Sequence, residues 1–119
     1  MKITEEKIDK VVDSVVREML TEMARLNVAN DNSSPFPSDI YELKMWSNDH
    51  EPIHIHIINK QENWEVTVSL EGKTLEIKKA SNKLNIQKVE KQFKTWLTKN
   101  NKYGINNKKY ALSVWDSIH

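Results

Sequence analysis

The sequence predicts an α+β domain of two layers, a four-stranded antiparallel meander backed by a helix. Three observations predict it. Between residues 40 and 78 the apolar side chains recur at every second position, the period of a strand whose side chains alternate between two faces. From 86 to 99 the period lengthens to three and four, that of a helix. Two strand registers, each fixed by a different turn, then sort the side chains onto one common apolar face and one common polar face.

Composition bounds the rest. At 119 residues the chain suits one domain with a modest core. A charged fraction of 29% and a mean hydropathy of −0.69 describe a chain with no apolar run near the roughly 20 residues of a membrane span, so no membrane partner is expected. The opening MKITEEKIDK alternates acids and lysines where a signal peptide would need an apolar stretch, which points to a cytoplasmic protein. The absence of cysteine excludes disulfides, thiolate metal sites and cysteine nucleophiles.

Taken in order, Thr4 is placed to cap a helix over about 5–26, and Glu5 and Glu6 complement the positive end of its dipole. Ile8, Val11, Val12, Val15, Met19, Met23 and Leu26 form its stripe, broadened by Val16 and Leu20. So broad a stripe must be buried against the domain, against a second copy or against a protein partner. The polar run 27–39, with Pro35 and Pro37 bracketing Phe36, reads as a linker, dividing an N-terminal segment 1–34 from a domain 35–119.

The strands are expected at about 40–46, 53–59, 64–70 and 73–78. Closing the 60–63 turn with Asn59 opposite Trp64 pairs Ile57 with Val66, Ile55 with Val68 and Ile53 with Leu70, while His56 meets Thr67 and His54 meets Ser69. A two-residue turn at Glu71-Gly72 places Val68 beside Leu75, Val66 beside Ile77, Ser69 beside Thr74 and Thr67 beside Glu76. The helix over about 86–99, capped by Asn85, offers Ile86, Val89, Phe93, Trp96 and Leu97 as cover for the apolar face. A short C-terminal helix over about 107–118 brings Ala111, Val114, Trp115 and Ile118 to the core's edge.

The strongest chemical signal is WSNDHEPIHIHII, residues 46–58, which holds three of the four histidines. Alternation sends Ile53, Ile55 and Ile57 to one face and His54 and His56 to the other. Two imidazoles at that spacing can share zinc or another divalent metal, with His50, Asp49 or Glu76 as the third ligand. They can equally serve as acid and base on a phosphodiester, Lys44 steadying the anionic oxygens. They can also simply hydrogen-bond Thr67 and Ser69 and help a partner to dock. Trp46 falls beside them as a candidate stacking platform. From Lys78 onward there are ten lysines against two acids, and Lys88, Lys91, Lys94 and Lys99 on the exposed side of the helix form a candidate nucleic-acid surface.

The stretch SNDHEPIHIHI resembles the small bacterial family catalogued as domain of unknown function 4160, marked by a strand, an acidic polar loop and then Pro-Pro-His-x-His-Val. Pro52, His54, His56 and Ile57 fall on that pattern, as do the strands between Trp64 and Lys78, Asn82 and Trp115, and the likeness covers roughly residue 36 to the C-terminus. Ile53 stands where the second proline would be. The resemblance implies an α+β fold and no established activity; members resemble the small proteins of paired operons, which implies a toxin and antitoxin-like setting. The reading favoured on sequence is therefore a regulatory or interaction module using the histidine face. A small hydrolase or nuclease using His54, His56 and Lys44, metal-dependent or not, is the alternative, and a nucleic-acid binder is the third.

Overall fold

The computed structural model describes residues 23–25 and 34–119. Among these, five strands lie in chain order in one antiparallel sheet: β1 (Met23–Arg25), β2 (Tyr41–Trp46), β3 (His54–Asn59), β4 (Trp64–Ser69) and β5 (Thr74–Lys79). Helices α1 (Ile86–Thr98) and α2 (Asn107–Ile118) follow. The four expected strands and both expected helices of the domain are present.

One strand is additional, and it corrects the N-terminal helix. Met23, Ala24 and Arg25, expected as its last turn, instead pair with Trp46, Met45 and Lys44 of β2. The rest of that expected helix lies outside the described residues. Without β1, β2 would leave a row of backbone donors and acceptors unpaired at the sheet edge, and satisfying that row outweighs a three-and-four periodicity.

The β3–β4 register is the expected one, with Ile57 opposite Val66, Ile55 opposite Val68, His56 opposite Thr67 and His54 opposite Ser69. The β4–β5 register departs in one half. Ser69 N–H donates to Lys73 O at 2.8 Å and Gly72 N–H to Ser69 O at 2.9 Å, so the hairpin closes around a three-residue loop with Gly72 at φ +85°. The longer loop slips the pairing by one residue and sets Val68 opposite Thr74 in place of Leu75. A bulge at Leu75 then restores the register, so that Thr67 and Val66 meet Glu76 and Ile77 as expected. Leu75, at the bulge, stands 45% exposed, and Ile77, although it keeps its expected partner, is 49% exposed and outside the core as well.

Leu43, Met45, Ile55, Ile57, Val66 and Val68 form the buried sheet face. Val89, Phe93 and Trp96 of α1 and Tyr110, Ala111, Val114 and Trp115 of α2 join them in one cluster. Phe36 is wholly buried there and meets Tyr41 edge-on with ring centroids 5.1 Å apart, which anchors the chain entering β2 on the core. Asn85 and Asn106 cap the two helices through Lys88 N–H at 3.1 Å and Lys109 N–H at 3.2 Å. Burial also pushes the Tyr110 hydroxyl up to about 12 and leaves it with no hydrogen-bond partner among the described residues. No helix among the described residues is long and apolar enough to cross a membrane.

Candidate metal centre on the histidine strand

Because Ile55 and Ile57 are locked in the core, the alternation of β3 fixes His54 and His56 on the opposite face. Their ring centroids lie 5.2 Å apart. The loop after β2 folds back on itself: Asp49 N–H donates to Trp46 O at 3.1 Å, and Trp46 N–H donates to Asp49 Oδ2 at 2.9 Å. Both bonds aim the Asp49 carboxylate at the histidines. Its Oδ1 is 3.1 Å from His56 Nε2 and 3.5 Å from His54 Nε2.

The outer ring nitrogens are held as well. His54 Nδ1 lies 2.8 Å from Pro52 O, and His56 Nδ1 lies 3.2 Å from Glu65 Oε2. A carbonyl or carboxylate oxygen only accepts, so a neutral ring that carries its proton on Nδ1 satisfies these contacts and turns the lone pair of Nε2 toward Asp49. In that tautomer two lone pairs and a carboxylate converge, with one ligand atom from each of Asp49, His54 and His56 within 4.8 Å of the others. Unless a proton or a cation sits between them, they repel.

The geometry suits a cation. Metal–ligand bonds of about 2.0–2.1 Å in a tetrahedron place donor atoms roughly 3.3 Å apart, and the two carboxylate–imidazole separations are 3.1 and 3.5 Å. The carboxylate and carbonyl behind the rings are the partners that orient metal-bound histidines. The side chains of His54, His56 and Asp49 are 13%, 6% and 11% exposed, and all three line a cleft of about 450 Å³ that also takes in His50, Thr67, Leu75, Glu76 and Lys78.

A further histidine reaches the site. His119 Nε2 lies 2.9 Å from Asp49 O, and its ring stacks on Trp115 with centroids 3.8 Å apart. Trp115 in turn meets His54 edge-on at 5.7 Å, which ties the last turn of α2 to the Asp49 loop.

Of the candidates named from the sequence, His54, His56 and Asp49 come together, while His50 and Glu76 line the cleft outside that trio. Lys44 pairs with Glu42 at 2.8 Å and does not line the cleft. Thr67 lines the cleft, whereas Ser69 Oγ accepts from Glu71 and Lys73 N–H at 3.3 Å within the hairpin. Trp46 meets His56 edge-on at 6.5 Å. Lys88, Lys91, Lys94 and Lys99 are exposed on and just after α1, whose buried side joins the apolar core rather than the histidine face. Sequence reasoning missed Glu65 and His119. The signal for Glu65 was there, because it shares the parity of Thr67 and lies diagonally across from His56.

Fold and site together define a small α+β domain in which a loop aspartate and two strand histidines bring one donor atom each within 4.8 Å of the others. Residues 41–107 match the family described as domain of unknown function (DUF4160), and the chain belongs to that family. The matched region contains Asp49, His54, His56 and Glu65. No curated protein and no solved structure matches the chain.

Proposed function

We propose that this protein binds one divalent transition-metal ion, of the zinc class, through Asp49 Oδ1, His54 Nε2 and His56 Nε2. The observation that carries the reading is the convergence of those three electron-rich atoms while both Nδ1 atoms face oxygen acceptors. Two imidazoles and a carboxylate are the donor set of zinc sites that keep a position open, and ferrous iron accepts the same set. The Nε2 atoms of both histidines face Asp49 rather than Thr67 or Ser69.

Isothermal calorimetry of the full chain with zinc tests this. One ion per chain is expected, with binding lost in His56→Ala and in Asp49→Asn. A chain that takes up no zinc and no ferrous iron while remaining folded overturns the reading. A stoichiometry that survives both substitutions overturns the ligand assignment.

A further inference from the structure

We propose that the metal centre is hydrolytic and that its substrates are phosphate diesters; this rests on the metal reading above. Structural zinc sites are closed by four protein ligands, whereas catalytic ones have three and leave the fourth position to water. Among the described residues three ligands gather here, and all three line the cleft of about 450 Å³. That volume is in the range of small-molecule sites, about 300–1,000 Å³. Water bound to the ion in such a position loses a proton near pH 7, at about 7 in well-studied zinc enzymes, and becomes a nucleophile.

The rest of the cleft selects the electrophile. Among the described residues its one lysine is Lys78, whose Nζ is 3.2 Å from Glu76 Oε2 in a pair that is 42% and 60% exposed. So exposed a pair is weak, and an anionic oxygen can take Glu76's place on Lys78 at little cost. Lys44, by contrast, is held at 2.8 Å by Glu42 away from the cleft. Glu51 and Glu76 also line the cleft and limit how much negative charge it accepts, which favours a singly charged diester over a doubly charged monoester. The bulge adds an apolar wall, because it brings Leu75 to the cleft's rim. A phosphoryl group bridging the ion and Lys78, with its organic substituent against Leu75, uses each of these features.

The reaction balances without a redox partner. The oxygen of the bound water forms a new bond to phosphorus as the bond from phosphorus to one alcohol oxygen breaks. The electron pair leaves on that oxygen, which gains a proton, while the attacking water gives one up. Water and a diester become a monoester and an alcohol.

The test uses bis(p-nitrophenyl) phosphate, whose phenolate leaves without needing a proton, so that no acid has to be identified in advance. Zinc affinity is measured on the same samples. The full chain with one equivalent of zinc is expected to release phenolate saturably, above the rate of free zinc, and to turn over p-nitrophenyl phosphate more slowly. Asp49→Asn should lose both zinc and turnover. Lys78→Ala should keep its zinc affinity and raise KM about two- to fivefold, the worth of one exposed ion pair, while Lys44→Ala changes neither. Zinc bound at one per chain with no diester turnover overturns the hydrolytic inference and leaves the metal reading standing, whereas absence of zinc binding removes both. Unchanged kinetics in Lys78→Ala, or preference for the monoester, overturns the substrate assignment.

Discussion

Glu65 is the residue through which the metal reading can be tested most sharply, because it acts only through His56. Its Oε2 lies 3.2 Å from His56 Nδ1. Adding the imidazole ring and a metal–nitrogen bond of about 2.0 Å puts the carboxylate roughly 7 Å from a bound ion. A single negative charge at that range from a doubly charged ion contributes about 1–5 kcal/mol as the effective dielectric falls from about 80 to about 20. Because the Glu65 side chain is 30% exposed, the lower half of that range applies. About 1.4–2.7 kcal/mol corresponds to a factor of roughly 10–100 in zinc affinity, the usual effect of a partner behind a ligating histidine. Glu65→Gln keeps an acceptor for the Nδ1 proton and deletes only the charge, so it isolates this contribution. The assay is competition with a chromophoric chelator at neutral pH. Glu62→Gln is the control, since Glu62 accepts from Trp64 Nε1 at 3.0 Å at the far end of the hairpin. If Glu65→Gln stays within about twofold of the wild type while His56→Ala loses the metal, the charge behind the ring is irrelevant and the reasoning is refuted.

Other perturbations probe the scaffold. The buried Tyr110 hydroxyl lacks a partner, so Tyr110→Phe should hold or raise stability by about 0.5–1 kcal/mol in urea melts. Its folded value of about 12 lies above the ordinary 10.0, so the wild type should lose stability as pH rises through that interval and the variant should lose less. Glu90 accepts Thr74 N–H at 2.9 Å, and that bond holds its carboxyl below the ordinary 4.5. The stability gained is therefore present above pH 4.5 and is lost as pH falls through the lowered folded value; melts of Glu90→Gln should show that loss missing. Gly72→Ala should cost about 1 kcal/mol because φ is +85°. The new Cβ would also stand 2.5 Å from Lys94 Cε and 2.7 Å from its Cγ, so the whole Lys94 stem must shift, and adding Lys94→Ala should recover that share of the loss and leave the backbone strain.

Strand alternation and turn lengths were enough to foresee which side chains face each other over most of the sheet. The isoleucines of β3 and the valines of β4 admit one register that buries both sets, and that register is present. What the sequence did not disclose was loop length at Glu71-Gly72. Two- and three-residue hairpin loops both accept glycine, and the choice rests on bonds to Ser69 that involve backbone atoms. At the N-terminus the stripe through Met23 is a sound helical signal, yet those residues pair with β2, because an edge's demand for backbone partners is invisible in side-chain spacing. His54 and His56 were legible at the site because a two-residue repeat fixes their face. Which of Asp49, His50 and Glu76 would join them depended on the fold of the loop after Trp46. His119 is separated from Asp49 by 70 positions, and no local pattern anticipates that contact.

The irregularity of β5 bears on how the protein behaves in a crowded solution. β5 is an outer strand of the described sheet and leaves Leu75 and Ile77 45% and 49% exposed, the composition of an edge on which chains stack into fibrils. Stacking needs donors and acceptors in even alternation along the strand. β5 breaks that alternation twice in six residues, at Leu75 and at Lys78, and the Glu90 carboxylate occupies the N–H of Thr74. The device that shapes the cleft's rim thus also spoils the template on which a second chain would stack.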